Sequence, residues 1–376
     1  MRVEKLFNII GSDFYTGVPD SLLKPLCDYL MYRYGIDKNH HIVAANEGNS
    51  VGIAAGYHLA TSKIPVVYMQ NSGEGNVINP LASLVNDKVY AIPIIFIIGW
   101  RGEPGVHDEP QHVYQGIVTE KLMNDMDVST FVIGKDTSDE EVTKKMESFR
   151  KILANGKQVA FIIKKGAVEF DGEVDYSNHH SLNREEAIQR ILSVTDEDPV
   201  ISTTGKISRE LFEIREKKGE AHDRDFLTVG SMGHCSSIAL GVALNRPERK
   251  IWCIDGDGAA IMHMGAMTVI GANHPSNLVH IVINNEAHDT VGGMPTVASS
   301  VDFIELAKAC GYTYAVSVEN LEKLERELLG AKDRDGLSFI EIKCRTGARA
   351  DLGRPTTTAI ENKRCFMNFL QVGKRI

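Results

Sequence analysis

The sequence lacks the features that mark membrane-spanning, nucleic-acid-binding and disulfide-rich proteins. Its longest apolar run, residues 91–100, is too short to cross a bilayer and contains Pro93. The net charge is −9 and there is no basic block, which argues against nucleic acid as a partner. The six cysteines are scattered without a Cys-x-x-Cys pair, and residues 1–7 show no signal-peptide pattern. Both absences predict reduced thiols in a cytoplasmic protein.

The composition and the order of apolar runs predict two α/β domains. With 376 residues, 43% of them apolar and 24% charged, the chain has the composition of a globular protein with room for two domains. Strand-like runs alternate with helical patterns on either side of a polar, aperiodic stretch, which predicts a doubly wound, mostly parallel sheet in each half. The predicted domains are residues 1–168 and 184–376, with 169–183 as the linker. The predicted strands are residues 41–45, 65–70, 92–100, 130–134, 159–165, 200–203, 226–229, 251–254, 278–283, 313–318 and 339–343.

Two of these strand-like runs end in polar residues that suit a cation. One ends at Gly256-Asp-Gly258, and the apolar run 278–283 ends at Asn284-Asn285. If the two strands are parallel neighbours, Asp257 and Asn285 lie at the same carboxyl edge of a sheet, where α/β proteins bind ligands. A carboxylate, an amide oxygen and adjacent glycines suit Mg²⁺ that is held through a diphosphate.

Three simpler interpretations of the glycine-rich turn make different demands on the sequence. A calcium-binding EF-hand loop that begins at Asp255 needs a glutamate at its twelfth position, which is Ala266. A dinucleotide-binding fingerprint needs a third glycine where Ile261 stands. An ordinary strand–turn–helix connection with acidic turn residues remains open.

Gly-Asp-Gly followed at this distance by Asn-Asn resembles the cofactor motif of the thiamine diphosphate-dependent decarboxylase superfamily. The resemblance implies that the side chains of Asp257 and Asn285 bind Mg²⁺, with the backbone carbonyl of Ala287 as a further ligand. It also implies cofactor contacts from the residues around the metal-binding aspartate, namely Gly256, Gly258 and Ala259.

Two further stretches are similar to this superfamily. Glu47 follows a strand-like run and precedes a helix rich in small residues. The resemblance implies that Glu47 hydrogen-bonds the cofactor pyrimidine and so promotes deprotonation of the thiazolium carbon C2. For Met232 it implies a wedge that bends the cofactor, with Ser231 contacting the pyrimidine. From the residues alone, a helix cap for Glu47 and a core position for Met232 are the alternatives.

Five other stretches resemble a smaller subfamily whose members decarboxylate phosphonopyruvate or sulfopyruvate. They are residues 13–21, 71–80, 108–112, 284–293 and 351–358. The resemblance implies a small-molecule 2-oxo acid substrate, two domains without a central third one, and a homodimer or larger homo-oligomer with active sites between subunits. A carboligase or synthase acting on another 2-oxo acid is an alternative within the superfamily, and a catalytically inactive scaffold is an alternative outside it.

The proton donor is not defined by the resemblance. Larger relatives place a catalytic glutamate six residues after the metal-binding asparagine, and Val291 stands at that position here. His288 and Asp289 are the nearby polar candidates for a catalytic role, together with Thr290. We also expect His112, in a predicted loop after the long buried strand, to act as an acid–base group.

Substrate selection requires groups that bind a doubly anionic acid. Backbone amides near Ser72 and Gly73, at the start of a predicted helix, could bind an anion, and Asp20 lies in one of the stretches that resemble the subfamily. Three arginines near the end of the chain could supply a bidentate clamp or lie on the solvated surface. They are Arg345, Arg349 and Arg354.

Overall fold

The computed structural model describes residues 1–371, and the chain divides into two compact units. Unit 1 is Met1–Asp175, and unit 2 begins at Tyr176. Each unit is built on one six-stranded sheet in which every strand pair is parallel. The division falls within residues 169–183, the stretch where the sequence has no periodic pattern.

Unit 1 alternates strands and helices from its first residues onward. Its strands are β1 (Tyr15–Gly17), β2 (His41–Val43), β3 (Val66–Gln70), β4 (Ile95–Gly99), β5 (Ser129–Ile133) and β6 (Val159–Ile163). Its helices are α1 (Val3–Ile10), α2 (Lys24–Tyr34), α3 (Glu47–Thr61), α4 (Glu74–Pro80), α5 (Pro110–Asp125) and α6 (Asp139–Leu153). A 3₁₀ turn at Asn71–Gly73 precedes α4, and a π-helical turn at Leu81–Val85 follows it.

The core of unit 1 lies on the central strands of its sheet, whose order is β2-β1-β3-β4-β6-β5. Nearly every side chain of β3, β4 and β6 is buried, because helices cover both faces of a parallel sheet. Helix α6 begins at a capping box in which Ser138 and Glu141 bind each other's backbone amides, and it packs its apolar face inward.

Unit 2 repeats the alternation. Its strands are β7 (Val200–Ser202), β8 (Asp225–Leu227), β9 (Ile251–Gly256), β10 (Leu278–Asn284), β11 (Ala287–His288), β12 (Met294–Pro295), β13 (Tyr314–Val318) and β14 (Ser338–Lys343). Its helices are α7 (Arg184–Thr195), α8 (Lys206–Lys218), α9 (Cys235–Asn245), α10 (Asp257–Met262), α11 (Gly265–Asn273), α12 (Phe303–Ala309), α13 (Leu321–Asp333) and α14 (Ala359–Gln371). Short 3₁₀ turns occupy Asp289–Val291 and Val297–Ser300.

The two sheets share one topology. The order in unit 2 is β13-β14-β10-β9-β7-β8, and β11 pairs with β12 in a separate antiparallel hairpin. Read from β8, the six strands follow the order second, first, third, fourth, sixth, fifth, which is the order in unit 1. The predicted fold class, two doubly wound parallel-sheet domains, is therefore confirmed.

Several elements differ from the sequence-based expectation. Strand β1 has three residues, too few to show a period of two, and β11, β12, α1 and α14 were not predicted either. The predicted loop around His112 is wrong, because this residue lies in α5. The buried residues of α5 are Gly116, Thr119 and Met123, so the helix has no apolar stripe for a sequence pattern to reveal.

Within residues 1–371, no helix is both long enough and apolar enough to cross a membrane. All six cysteines are free thiols.

Candidate active site

The carboxyl edge of the unit 2 sheet brings the predicted metal ligands together. Strands β9 and β10 are parallel neighbours, with Ile283 opposite Gly256 in the register. Asp257 and Asn285 each lie one or two residues beyond this pair, and both are buried, at 3% and 4% exposure. The edge thus presents one carboxylate and one amide side by side, as the sequence pattern predicted.

Asp257 is a buried carboxylate that accepts hydrogen bonds from its surroundings. Its Oδ2 accepts a hydrogen bond of 2.6 Å from the hydroxyl of Thr296. Burial raises the pKa of Asp257 to about 7, although hydrogen bonds from Thr296 and from the backbone amides of Gly258 and Asn285 oppose this rise. A divalent cation beside the carboxylate would stabilise its charged form, so the site fits a metal ion.

The backbone after β10 turns sharply at Glu286, which has a left-handed φ of 58°. The amide of Ala287 then donates a 3.3 Å hydrogen bond to Oδ1 of Asn285. The side chain of Asn284 is fixed by a hydrogen bond, because its Nδ2 donates to Oε1 of Glu341 at 2.7 Å. The turn therefore fixes Asn285 and Ala287, two predicted metal ligands, within one short loop.

Gly258 lies where three side chains converge. A Cβ added to it would stand 3.3 Å from Met232 Cε and Thr296 Cγ2, and 3.4 Å from His288 Cε1. Met232 reaches this position from a tight turn in which Ser231 adopts a left-handed φ of 56°. The lack of a side chain at Gly258 leaves room for a ligand beside Asp257, with an apolar thioether and an imidazole at its border.

Gly256 and Ala259, two predicted cofactor contacts, lie within two residues of Asp257. Gly256 caps α10, and Ala259 lies in its buried first turn, so both are within the loop that carries Asp257.

In unit 1, Glu47 begins α3 and its side chain is 5% exposed. Its Oε2 accepts a 2.7 Å hydrogen bond from Nδ2 of Asn76. Burial raises the pKa of Glu47, and the Asn76 hydrogen bond opposes the rise. Gly73 packs on this carboxyl, since a Cβ there would be 2.5 Å from Cγ and Oε1 of Glu47. Gly73 therefore supports Glu47, whereas the sequence suggested it as a substrate contact.

Asp20 and Ser72, two predicted substrate-binding residues, are joined through Gln70. The Gln70 amide donates to Asp20 Oδ1 at 2.6 Å, and its oxygen accepts from Ser72 Oγ at 2.7 Å. Asp20 is fully buried, and a Cβ on Gly99 would lie 2.1 Å from its Oδ2. Burial raises the pKa of Asp20, although the Gln70 hydrogen bond opposes it.

His112 lies in the first turn of α5, near an ion pair at the end of the β4 loop. There Arg101 forms a bidentate pair with Asp108, with distances of 2.8 and 2.5 Å. Burial alone would raise the pKa of Asp108, but the hydrogen bonds from Arg101 and from two backbone amides lower it overall. For His112, burial is the main cause of a lowered pKa.

The other predicted residues of unit 2, namely His288, Asp289 and Thr290, have different surroundings. Burial lowers the pKa of His288 to about 4, so its imidazole is neutral near pH 7. Asp289 is held in a pair with Arg184 at 2.6 Å, and Arg184 in turn forms a buried bidentate pair with Glu210. Thr290 lies against the start of α8, so that a Cβ on Gly205 would be 2.8 Å from its Oγ1.

The C-terminal arginines differ in their surroundings. Arg349 pairs with Glu185 at 3.1 Å, with Asp351 at 3.0 Å and also with Glu213, so its guanidinium has carboxylate partners within unit 2. Arg345 and Arg354 are exposed.

Sequence reasoning missed four residues that shape these sites. They are Thr296, Asn76, Gln70 and Arg101. Asn76 lies in a stretch that resembles the subfamily, so its position was indicated but its role was not. The other three carry no local pattern that marks them, because their roles depend on contacts that form only when the chain folds.

Comparison with known proteins defines the class. Residues 5–124 match the family model for the thiamine pyrophosphate enzyme, N-terminal TPP binding domain, and residues 204–342 match the one for the C-terminal TPP binding domain. Thiamine pyrophosphate is another name for thiamine diphosphate. The two units therefore correspond to the two cofactor-binding domains of a thiamine pyrophosphate enzyme.

Full-length relatives define the family. The phosphonopyruvate decarboxylases of Streptomyces viridochromogenes and Streptomyces hygroscopicus are each 34% identical to the chain, over 96% of it and over 92% and 91% of their own lengths. The sulfopyruvate decarboxylase of Methanosarcina acetivorans is 27% identical, over 92% of this chain and 91% of its own. The chain belongs to the phosphonopyruvate decarboxylase family, and it is a thiamine pyrophosphate-dependent 2-oxo acid decarboxylase.

Proposed function

We propose that this enzyme decarboxylates 3-phosphonopyruvate to phosphonoacetaldehyde and CO₂, with thiamine diphosphate bound through Mg²⁺. The observation that carries the choice of substrate is the similarity to two phosphonopyruvate decarboxylases over nearly the whole chain, at higher identity than the full-length sulfopyruvate decarboxylase. The buried carboxylate and amide at the edge of the unit 2 sheet support the metal.

In this proposal the metal site uses oxygen ligands alone. The side chains of Asp257 and Asn285 and the carbonyl of Ala287 would hold Mg²⁺, which prefers such ligands. The metal would keep Asp257 ionised despite its burial. The space beside Gly258 would receive the cofactor, with Met232 as the apolar support that bends it.

The role of Glu47 is to control a proton at the cofactor pyrimidine. When bound, the cofactor supplies a nucleophilic carbon and an electron sink for the pair released with CO₂. Glu47 offers a buried carboxyl whose raised pKa favours sharing a proton with a ring nitrogen. Asn76 holds one oxygen of the carboxyl, and Gly73 limits the space around the other.

His288 is the better supported proton-transfer group on the unit 2 side. It borders the space at Gly258 and is neutral near pH 7, so its imidazole can accept a proton there and then pass it on. Asp289 pairs with Arg184 and is assigned a positioning role for this loop. His112 remains a proposed acid–base group of unit 1.

Anion recognition is proposed for residues of both units. Asp20 and Ser72 would orient polar groups of the substrate through Gln70. Arg345 and Arg354 are the exposed candidates for the phosphonate. Arg349 is less suited, because three carboxylates already surround it.

We further propose a homodimer or larger assembly, located in the cytoplasm, with active sites between subunits. Supporting this, the relatives in Methanococcus maripaludis are named as separate alpha and beta subunits of sulfopyruvate decarboxylase, each similar to part of this chain. If protein that sediments as a monomer in analytical ultracentrifugation were fully active, the proposed assembly would be contradicted.

A substrate panel tests the proposed reaction. CO₂ and aldehyde release are measured with 3-phosphonopyruvate, sulfopyruvate and pyruvate, with and without an acceptor aldehyde. We expect the highest kcat/KM with 3-phosphonopyruvate and equal amounts of CO₂ and phosphonoacetaldehyde. A higher kcat/KM with sulfopyruvate would identify sulfopyruvate as the substrate instead. A product in which the substrate-derived fragment is joined to the acceptor aldehyde would identify a carboligase. If calorimetric titration with thiamine diphosphate and Mg²⁺ gave no binding, an inactive scaffold would be favoured.

A further inference from the structure

A second cluster of potential metal ligands lies inside unit 2, within the sheet. Cys253 and Asp255 are alternate residues of β9, so their side chains share one face of the sheet. His280 on β10 stands directly opposite Cys253 in the register. One ligand atom from each residue lies within 4.8 Å of the others, and all three residues are buried. The function proposed above uses none of them.

A second thiol adjoins Cys253 from the helix that covers this face of the sheet. Cys235 is the first residue of α9, and its Sγ lies 3.4 Å from Sγ of Cys253. Cys235 and Cys253 are 1% and 0% exposed. The cluster thus contains two thiols, one imidazole and one carboxylate, contributed by β9, β10 and α9.

Two polar atoms of the cluster lack partners although they are deeply buried. Oδ2 of Asp255 and Nε2 of His280 have no hydrogen-bond partner in the described part of the chain. They lie 3.6 Å apart, which is too far for a good direct hydrogen bond. Leaving two such buried atoms unsatisfied destabilises the folded state, so a cation that binds both of them would stabilise it.

The histidine is held in the manner of a metal ligand. Its Nδ1 forms a 2.9 Å hydrogen bond with the hydroxyl of Tyr312, which fixes the ring and leaves Nε2 facing Asp255. Metal-binding histidines commonly have their second ring nitrogen oriented in this way by an outer hydrogen bond. Asp255 is held similarly, since its Oδ1 accepts from the amide of Gly256 at 2.9 Å.

We propose that Cys235, Cys253, Asp255 and His280 form a site for a divalent d-block cation, with Zn²⁺ as the best match. A tetrahedral zinc with Zn–S bonds of about 2.3 Å and Zn–N and Zn–O bonds of about 2.0 Å separates two sulfur ligands by about 3.8 Å, and a nitrogen from an oxygen by about 3.3 Å. The S···S distance of 3.4 Å and the N···O distance of 3.6 Å each lie within about 0.4 Å of these values.

The ligand chemistry separates this site from the one at the sheet edge. Thiolate and imidazole ligands select zinc and related ions, whereas Asp257 and Asn285 offer only oxygen, which suits Mg²⁺. Because the cluster is buried, the cation would enter as the unit folds and would join β9, β10 and α9 beneath the loop that carries Asp257. The site does not depend on which 2-oxo acid the enzyme uses.

Metal analysis of the intact protein tests this inference. The full chain is produced in medium supplemented with Zn²⁺, purified in excess Mg²⁺, and measured by inductively coupled plasma mass spectrometry. We expect one Zn²⁺ per chain that persists through gel filtration. Protein produced with Co²⁺ is expected to show a thiolate-to-cobalt charge-transfer band in the near ultraviolet and tetrahedral ligand-field absorption in the visible.

Variants identify the ligands. Cys253→Ser and His280→Asn are expected to lose the cation and the charge-transfer band. Cys344→Ser removes another fully buried thiol of unit 2, outside the cluster, and should retain both. The wild-type measurements decide the matter even if a ligand variant does not fold. Wild-type protein with far less than one cation per chain, a disulfide between Cys235 and Cys253, or equal loss in Cys344→Ser would overturn the proposal.

Discussion

Gly73 lies so close to Glu47 that a Cβ on residue 73 would stand 2.5 Å from both Cγ and Oε1 of the glutamate. The backbone of Gly73 is in the right-handed helical region, so its conformation suits any residue and the constraint is one of space. Asn76 binds the other oxygen of the same carboxyl. The 3₁₀ turn and helix α4 thus fix the position of the proposed catalytic glutamate.

Replacing this glycine should therefore impair catalysis. We expect Gly73→Ala to displace the Glu47 carboxyl and lower kcat by roughly 10–100-fold, since a shift of about 1 Å can cost on the order of 100-fold. The control is Gly75→Ala, because a Cβ at this exposed position meets nothing within 4 Å. Steady-state CO₂ release from 3-phosphonopyruvate measures both variants. Equal activity of the two would contradict the proposed role of Gly73.

Glu47 itself is predicted to act in turnover and not in cofactor binding. Glu47→Gln keeps the size of the side chain and can still contact Asn76, but it cannot share a proton with the pyrimidine. We expect kcat to fall by roughly 10²–10⁴-fold. Calorimetric titration with thiamine diphosphate and Mg²⁺ should give nearly the wild-type dissociation constant. Unchanged turnover would refute the assignment.

Thr296 is predicted to tune the metal site. Its hydroxyl stabilises the charged form of Asp257, whose pKa burial has raised to about 7. Thr296→Val removes this hydrogen bond and should weaken Mg²⁺ binding at neutral pH by roughly 10-fold, the equivalent of about 1–2 kcal/mol. Thr296→Ser retains the hydroxyl and should bind as the wild type does. Mg²⁺ titrations at fixed thiamine diphosphate provide the comparison, and equal affinities of the Val and Ser variants would contradict it.

Glu74 is predicted to make the stability of unit 1 depend on pH. Burial raises the pKa of Glu74 from its ordinary value of 4.5 to about 9, and its Oε1 has no hydrogen-bond partner among the described residues. The folded state therefore holds a proton that the unfolded state releases above pH 4.5. This contribution to stability is full below pH 4.5 and is lost as the pH rises towards 9.

The variant Glu74→Gln should remove that dependence. Between pH 5 and 8 the free energy of unfolding of the wild type should fall by about 3–4 kcal/mol relative to that of the variant, because one proton contributes about 1.4 kcal/mol per pH unit. Urea unfolding at both pH values measures the difference. Glu140→Gln changes an exposed glutamate of the same unit and serves as the control. A constant difference between wild type and Glu74→Gln would show that Glu74 titrates normally.

The sequence by itself determined the architecture and the position of the sheet edge that carries Asp257 and Asn285. Apolar runs such as residues 95–98 are typical of strands buried on both faces, and their alternation with helices leaves few topologies. Asp257 and Asn285 follow such runs directly, so strand order alone places them together. A local sequence pattern was enough to predict this placement, because both residues closely follow strands and the strand ends form the edge.

Only the tertiary structure decided what surrounds them. Thr296 reaches Asp257 across 39 residues of chain, and Gln70 reaches Asp20 across 50. The pairing of Asp289 with Arg184 likewise joins residues that are 105 positions apart. Such contacts depend on how separate elements pack, and no periodicity along the chain records them. The buried polar cluster around His280 is the clearest example, because four residues spread along unit 2 meet only when β9, β10 and α9 come together.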